Sequence, residues 1–211
     1  MENTQSLQYI KQAFELKEQK YYKPAIEMLY KALEIENDNI EILYQIGELY
    51  FLINNYTRAL QYLDKVLSIN PKHVESLKLT RTIKERQDDL DSVLKISQQL
   101  FDENPNSDNL KSLIKILIKL KLVDEIDKYK NSDFFNTDVK VECANAFYTN
   151  GEVEKAKELL TQCDSNDENV LLLKGKIKFD EKDLDGAREI FSTIGKNSNN
   201  PKKFNTSGFW E

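Results

Sequence analysis

The sequence predicts an all-α protein, a solenoid of about six helix-turn-helix repeats. Three observations carry the prediction. Landmarks return at a fixed period: Tyr22, Ala25 and Leu29 reappear 34 residues later as Tyr56, Ala59 and Leu63, and Ala13 reappears as Gly47. A period kept over successive segments marks a repeat architecture. Small residues also pair at one spacing in both halves of the chain: Gly47 with Ala59, Ala144 with Ala156 and Gly175 with Ala187, each 12 apart. Finally, apolar residues around these positions recur three and four apart, as in Leu43, Ile46, Gly47 and Tyr50. That is a helical period, not the alternation of a strand.

The units are expected at about 6–39, 40–73, 74–107, 108–136, 137–167 and 168–195. Unit one sets Tyr9, Ala13 and Leu16 on one helical face. Unit two places Gly47 in mid-helix, at a cost of about 1 kcal/mol relative to Ala, so close packing of its second helix is the expected compensation. Pro71 and Pro105 close the second helices of units two and three, because proline disfavours the helical region in the residue before it. Unit three is degraded, with Arg81 where Gly47 stands in unit two. Asn39, Ser107 and Thr137 are the expected N-caps. Unit four departs most. Its first helix, from Asp108, is apolar on most faces and reads as buried between neighbours. A short helix near 123–131 and a connector carrying Phe134 and Phe135 follow. Units five and six recover the pattern, through Ala144, Phe147, Gly151 and Leu160, then Leu171, Leu184, Phe191 and Ile194. Residues 196–211, rich in Asn, Ser and Lys, form a flexible or capping tail with Phe204, Phe209 and the one tryptophan, Trp210.

Composition narrows the function. Of 211 residues, 40% are apolar and 31% charged, which suits a soluble protein with a core. No run approaches the roughly 18 apolar residues of a membrane helix, so membrane insertion is not expected. The amino end lacks the basic and apolar blocks of a secretory signal. A net charge of −6 argues against a nucleic-acid partner, which needs a concentrated basic face. Two cysteines are too few for a disulfide framework, and a reducing cytoplasm is the default. Catalysis is not expected. The single histidine, His73, reads as a solvated loop residue with no positioned partner. Cys143 and Cys163 read as buried thiols on the two helices of unit five. The scattered glycines form no phosphate loop, and neither a cofactor nor a metal is expected.

Unit two resembles a tetratricopeptide repeat, whose pattern is Trp, two residues, Leu-Gly, two residues, Tyr, then Ala, three residues, Phe, and a final Pro. Leu43 stands for the Trp, Ile46 for the Leu and Leu63 for the Phe, while Gly47, Tyr50, Ala59 and Pro71 are in place. The resemblance extends over 6–195, weakly in units three and four. It implies a right-handed superhelix whose first helices line a concave face with their second, fifth, ninth and twelfth residues. Among these positions Ile10, Phe14, Glu41, Tyr44, Glu48, Phe51, Asn145, Tyr148 and Phe179 are the candidate partner-binding residues. The aromatic ones serve either the groove or the packing between repeats. A familiar ligand of the family is the acidic tail of heat-shock chaperones, held by a clamp of Lys, Asn and Arg. Here those places hold Ile10 and Phe14, then Gln45, then Glu75 and Leu79, so the clamp is absent. The expected function is protein–protein interaction, as a scaffold or adaptor binding a partner's segment. The alternative is a structural subunit whose groove is filled by its own tail or a second copy. Nothing in the sequence sets the oligomeric state.

Overall fold

The computed structural model describes residues 2–197. The expected tail beyond them, with Phe204, Phe209 and Trp210, lies outside the described residues. The fold is an all-α helical repeat, with no strand among the described residues. It divides into two compact units between Asn104 and Pro105.

The first unit holds three helix pairs: α1 (Glu2–Glu18) with α2 (Tyr22–Ile35), α3 (Ile40–Leu52) with α4 (Tyr56–Ile69), and α5 (Val74–Arg86) with α6 (Leu90–Glu103). Its core runs through Ala13, Ala25, Leu29, Ile42, Ile46, Leu63 and Ile83, all essentially buried. The period is therefore a packing period. Gly47 lies under Leu63, and a Cβ there would sit 3.2 Å from that side chain. Tyrosines lock neighbouring pairs together. Tyr30 of α2 and Tyr50 of α3 share a hydrogen bond of 2.7 Å, and the Tyr62 hydroxyl of α4 donates to Tyr30 at 3.2 Å.

The second unit holds α7 (Ser107–Lys119), a 3-10 helix (Val123–Tyr129), α8 (Thr137–Thr149) with α9 (Val153–Thr161), and α10 (Glu168–Asp180) with α11 (Leu184–Asn197). Helix α7 is buried on most faces as its sequence requires: Leu110, Leu113, Ile114, Ile116, Leu117 and Ile118 are all inside. Its partner segment has only Ile126 buried, too little apolar surface to hold an α-helical turn against α7, and it winds as a 3-10 helix. Phe135 is buried in the connector that follows.

Helix ends show a regularity that the sequence hides. Each first helix stops two residues before a left-handed residue: Lys20, Asn54, Asp88, Lys121, Gly151 and Lys182, with φ between 56° and 82°. The next N–H then donates back to a carbonyl five residues earlier, as from Tyr21 to Leu16 at 2.8 Å and from Asp183 to Lys178 at 3.0 Å. These are Schellman stops, which satisfy carbonyls that the helix leaves open.

Several expectations are corrected. The N-caps of α7 and α8 are Asn106 and Asn136, one residue before Ser107 and Thr137. Their side chains accept from the N–H of Asn109 at 2.9 Å and Val139 at 3.1 Å. Asn39 does cap α3. Cys143 is buried on α8, and burial pushes its thiol up to about 12. Cys163 lies past the end of α9 and is partly exposed. His73 is no solvated loop residue. It caps α5, its Nδ1 accepting the Ser76 N–H at 3.2 Å, with 17% of its side chain exposed.

Candidate partner-binding surfaces

In the first unit a strip of side chains crosses the first helix of each pair. It begins on α1 with Leu7 and Phe14, 59% and 39% exposed, flanking half-buried Ile10. Lys17 then reaches from α1 to α3. Its ammonium sits 6.0 Å from the Phe14 ring centre, donates to Gln45 Oε1 at 3.0 Å and pairs with Glu48 at 2.5 Å. Gln45 in turn donates to Glu41 at 2.8 Å. Tyr44 lies between these carboxylates and α5, its ring 5.5 Å from the His73 ring. Burial, then Glu48, Glu75 and Glu41, push its hydroxyl up to about 12. The strip is thus apolar at the α1 edge and acidic around one tyrosine.

Phe51 is engaged in packing. Its ring lies 5.8 Å from that of Tyr56, and the Arg86 guanidinium covers it at 4.7 Å. Tyr44 and Ile10 also pack against the core, while Phe14 keeps an open face.

The second unit scatters its candidates. Asn145 lines a cleft of about 390 Å³ with Lys111, Glu142, Asn169, Leu172 and Lys176. Lys111 stands between Asp108 and Asp138 at 3.6 and 3.8 Å, and Lys115 pairs with Glu142 at 2.7 Å. Tyr148 lines a different cleft, of about 550 Å³, where its hydroxyl donates to Asp180. That bond pushes its pKa up to about 12. Phe179 is 57% exposed and lines neither. Sequence reasoning missed Lys111 and Glu142. The signal was Asn106: once it caps α7, Lys111 is the fifth residue of that helix, counted from Ser107.

These features define a helical-repeat protein with exposed, chemically varied faces on its first helices. Residues 16–80 match the family model described as tetratricopeptide repeat. That segment carries the tetratricopeptide-repeat pattern, and the described residues as a whole share the helical-repeat fold. No curated protein sequence matches it. Among solved structures it is similar to PilF of Pseudomonas aeruginosa, with 15% identity over 92% of each chain and a TM-score of 0.58. It is similar to YrrB, described as having an unusual peptide-binding site, with 15% identity over 80% of this chain and 91% of that one, TM-score 0.51. The first repeat domain of Spaghetti, solved with the HSP90 peptide SRMEEVD, matches at 16% identity over 56% of this chain and 94% of that one, TM-score 0.51. At such identities the likeness is one of fold. No helix among the described residues is long and apolar enough to cross a membrane.

Proposed function

We propose that this chain is a protein-interaction module, and that the face carrying Ile10, Phe14, Glu41, Tyr44 and Glu48 seats a segment of a partner protein. The observation that supports this reading is the strip itself. It joins exposed apolar surface to a half-buried tyrosine across three helices, the mix that recurs where partners dock. Peptide binding by YrrB and by the Spaghetti repeats supports the same role at the level of the fold. An acidic peptide such as SRMEEVD suits this face poorly, because Glu41 and Glu75 stand on the lining helices and no clamp of basic residues is present. Asn145, Tyr148 and Phe179 mark secondary surfaces on the second unit. Catalysis forms no part of this reading, since the one histidine is occupied in capping α5. Residence in a reducing cytoplasm fits the two unpaired thiols.

The test replaces Tyr44 and, separately, Tyr148 by Ala. Capture of partners from the native cell and helicity by circular dichroism are then measured together. Loss of captured protein with Tyr44→Ala at intact helicity is the expected result. Unchanged capture by both folded variants would sink the assignment.

A further inference from the structure

We infer that the face on the first unit takes a basic segment, one that presents a Lys or Arg side chain to Tyr44 between Glu41 and Glu75 and a large apolar side chain to Phe14. This rests on the reading of that face as a docking surface, and it names the partner's chemistry. The argument is one of complementarity. Of the three carboxylates around Tyr44, only Glu48 has a lysine, Lys17, and is neutralised. Among the described residues Glu41 accepts from the neutral amide of Gln45 and has no ion pair. Among the described residues Glu75, 61% exposed, pairs only with the His73 ring, at 3.9 Å. Lys78, three residues on from Glu75, forms no ion pair with it among the described residues. Two carboxylates therefore flank an aromatic ring with no cation between them among the described residues. A ring quadrupole and carboxylates together favour an incoming ammonium or guanidinium. Across Lys17, Phe14 and Leu7 leave apolar surface open to water. A segment with adjacent basic and aromatic residues covers both regions. An acidic segment meets uncompensated negative charge, and a purely apolar one leaves the carboxylates partly desolvated and unpaired.

The experiment uses the full chain and three labelled synthetic peptides in one Gly-Ser context, bearing Lys-Lys-Phe, Glu-Glu-Phe or Lys-Lys-Ala at the centre. Binding is read by fluorescence anisotropy. The Lys-Lys-Phe peptide is expected to bind, more weakly as salt rises, with Lys-Lys-Ala weaker and Glu-Glu-Phe not binding. The double variant Glu41→Gln, Glu75→Gln should weaken Lys-Lys-Phe about fivefold to tenfold at unchanged helicity, as for two partly exposed ion pairs. Phe14→Ala should erase the difference between the Phe and Ala peptides. Equal binding of Glu-Glu-Phe, or binding of Lys-Lys-Phe unaffected by the double variant, would overturn the inference. So would a concentration-dependent dimer that Glu41→Lys, Glu75→Lys dissolves, since a second copy would then own the face. Partner capture that Tyr44→Ala abolishes, together with preference for the acidic peptide, would leave the docking role standing and remove only its basic specificity.

Discussion

At the scale of single residues, one structural position is filled by Gly47, Arg81 and Gly175 with different consequences. A Cβ on Gly175 would stand 2.5 Å from Phe191 Cε1, an impossible contact unless the ring moves. At Gly47 the nearest atoms are Cδ2 and Cγ of Leu63, both at 3.2 Å, a crowding that a shift of tenths of an ångström relieves. Gly175→Ala is therefore expected to lower stability by about 1–3 kcal/mol through overpacking. Gly47→Ala should change it by less than about 1 kcal/mol, because better helix propensity offsets the crowding. Thermal unfolding followed by circular dichroism separates the two. Arg81 is the misfit. Its Nε and one terminal nitrogen are buried without a hydrogen bond, although Glu85 lies 3.3 Å from Nε at an angle too poor to make one. Arg81→Met keeps the length and removes the two unsatisfied buried donors. It is expected to stabilise the protein by about 1 kcal/mol or more in denaturant titration, and a loss of similar size would show that the Glu85 pair matters more than its geometry suggests.

At the scale of the helix, ends decide more than interiors. Lys121 and Lys182 hold left-handed backbone at φ of 61° and 64°, where a Cβ is strained. Replacing either by Gly should stabilise by about 1 kcal/mol or less, since relief of that strain exceeds the added freedom of the unfolded chain. Asn54→Gly should do little, asparagine being tolerant of that region. The second helices α6 and α11 begin at a shared staple. Asp89 accepts from Lys84 and the Ser92 N–H, and Asp183 from Lys178 and the Gly186 N–H. The lysine first, then the cap bonds, hold both carboxyls below their usual range. A group with a lowered folded-state pKa contributes its stability above the unfolded value, near pH 4, and loses it as pH falls through the folded one. The double variant Asp89→Asn, Asp183→Asn should accordingly lower the melting temperature at pH 7 and flatten its fall below about pH 4. Helices and their spacing were legible in the sequence because packing dictates residue size, which is why Gly47, Ala59 and Leu63 announced themselves. The caps of α7 and α8 were misplaced by one because Asn-Ser and Asn-Thr can each supply a cap, and only the backbone turn decides. The left-handed lysines were invisible, since nothing in a lysine favours that conformation.

At the scale of the molecule, the described residues form an all-α helical repeat in two compact units, each with its own surfaces, and residues 16–80 match the tetratricopeptide repeat. On the first unit α3 and α5 begin where the period places them, which puts Ile10, Phe14, Glu41, Tyr44 and Glu48 on one strip, whereas Phe51 packs against Tyr56 and Arg86. The Lys17–Glu48 bridge was not, because it joins residues 31 apart through a packing angle that no local pattern states. On the second unit α8 begins at Thr137 as expected, yet Asn145 and Tyr148, three residues apart on it, line different clefts. The central claim is that partners dock on the strip formed by α1, α3 and α5. The most direct test is amide chemical-shift mapping on the isotopically labelled full chain, titrated with the Lys-Lys-Phe peptide. The account predicts the largest shifts at Phe14, Glu41, Tyr44, Glu48 and Glu75, with little change on α4 and α6. Shifts confined to the second helices of the pairs, with the strip silent, would contradict it.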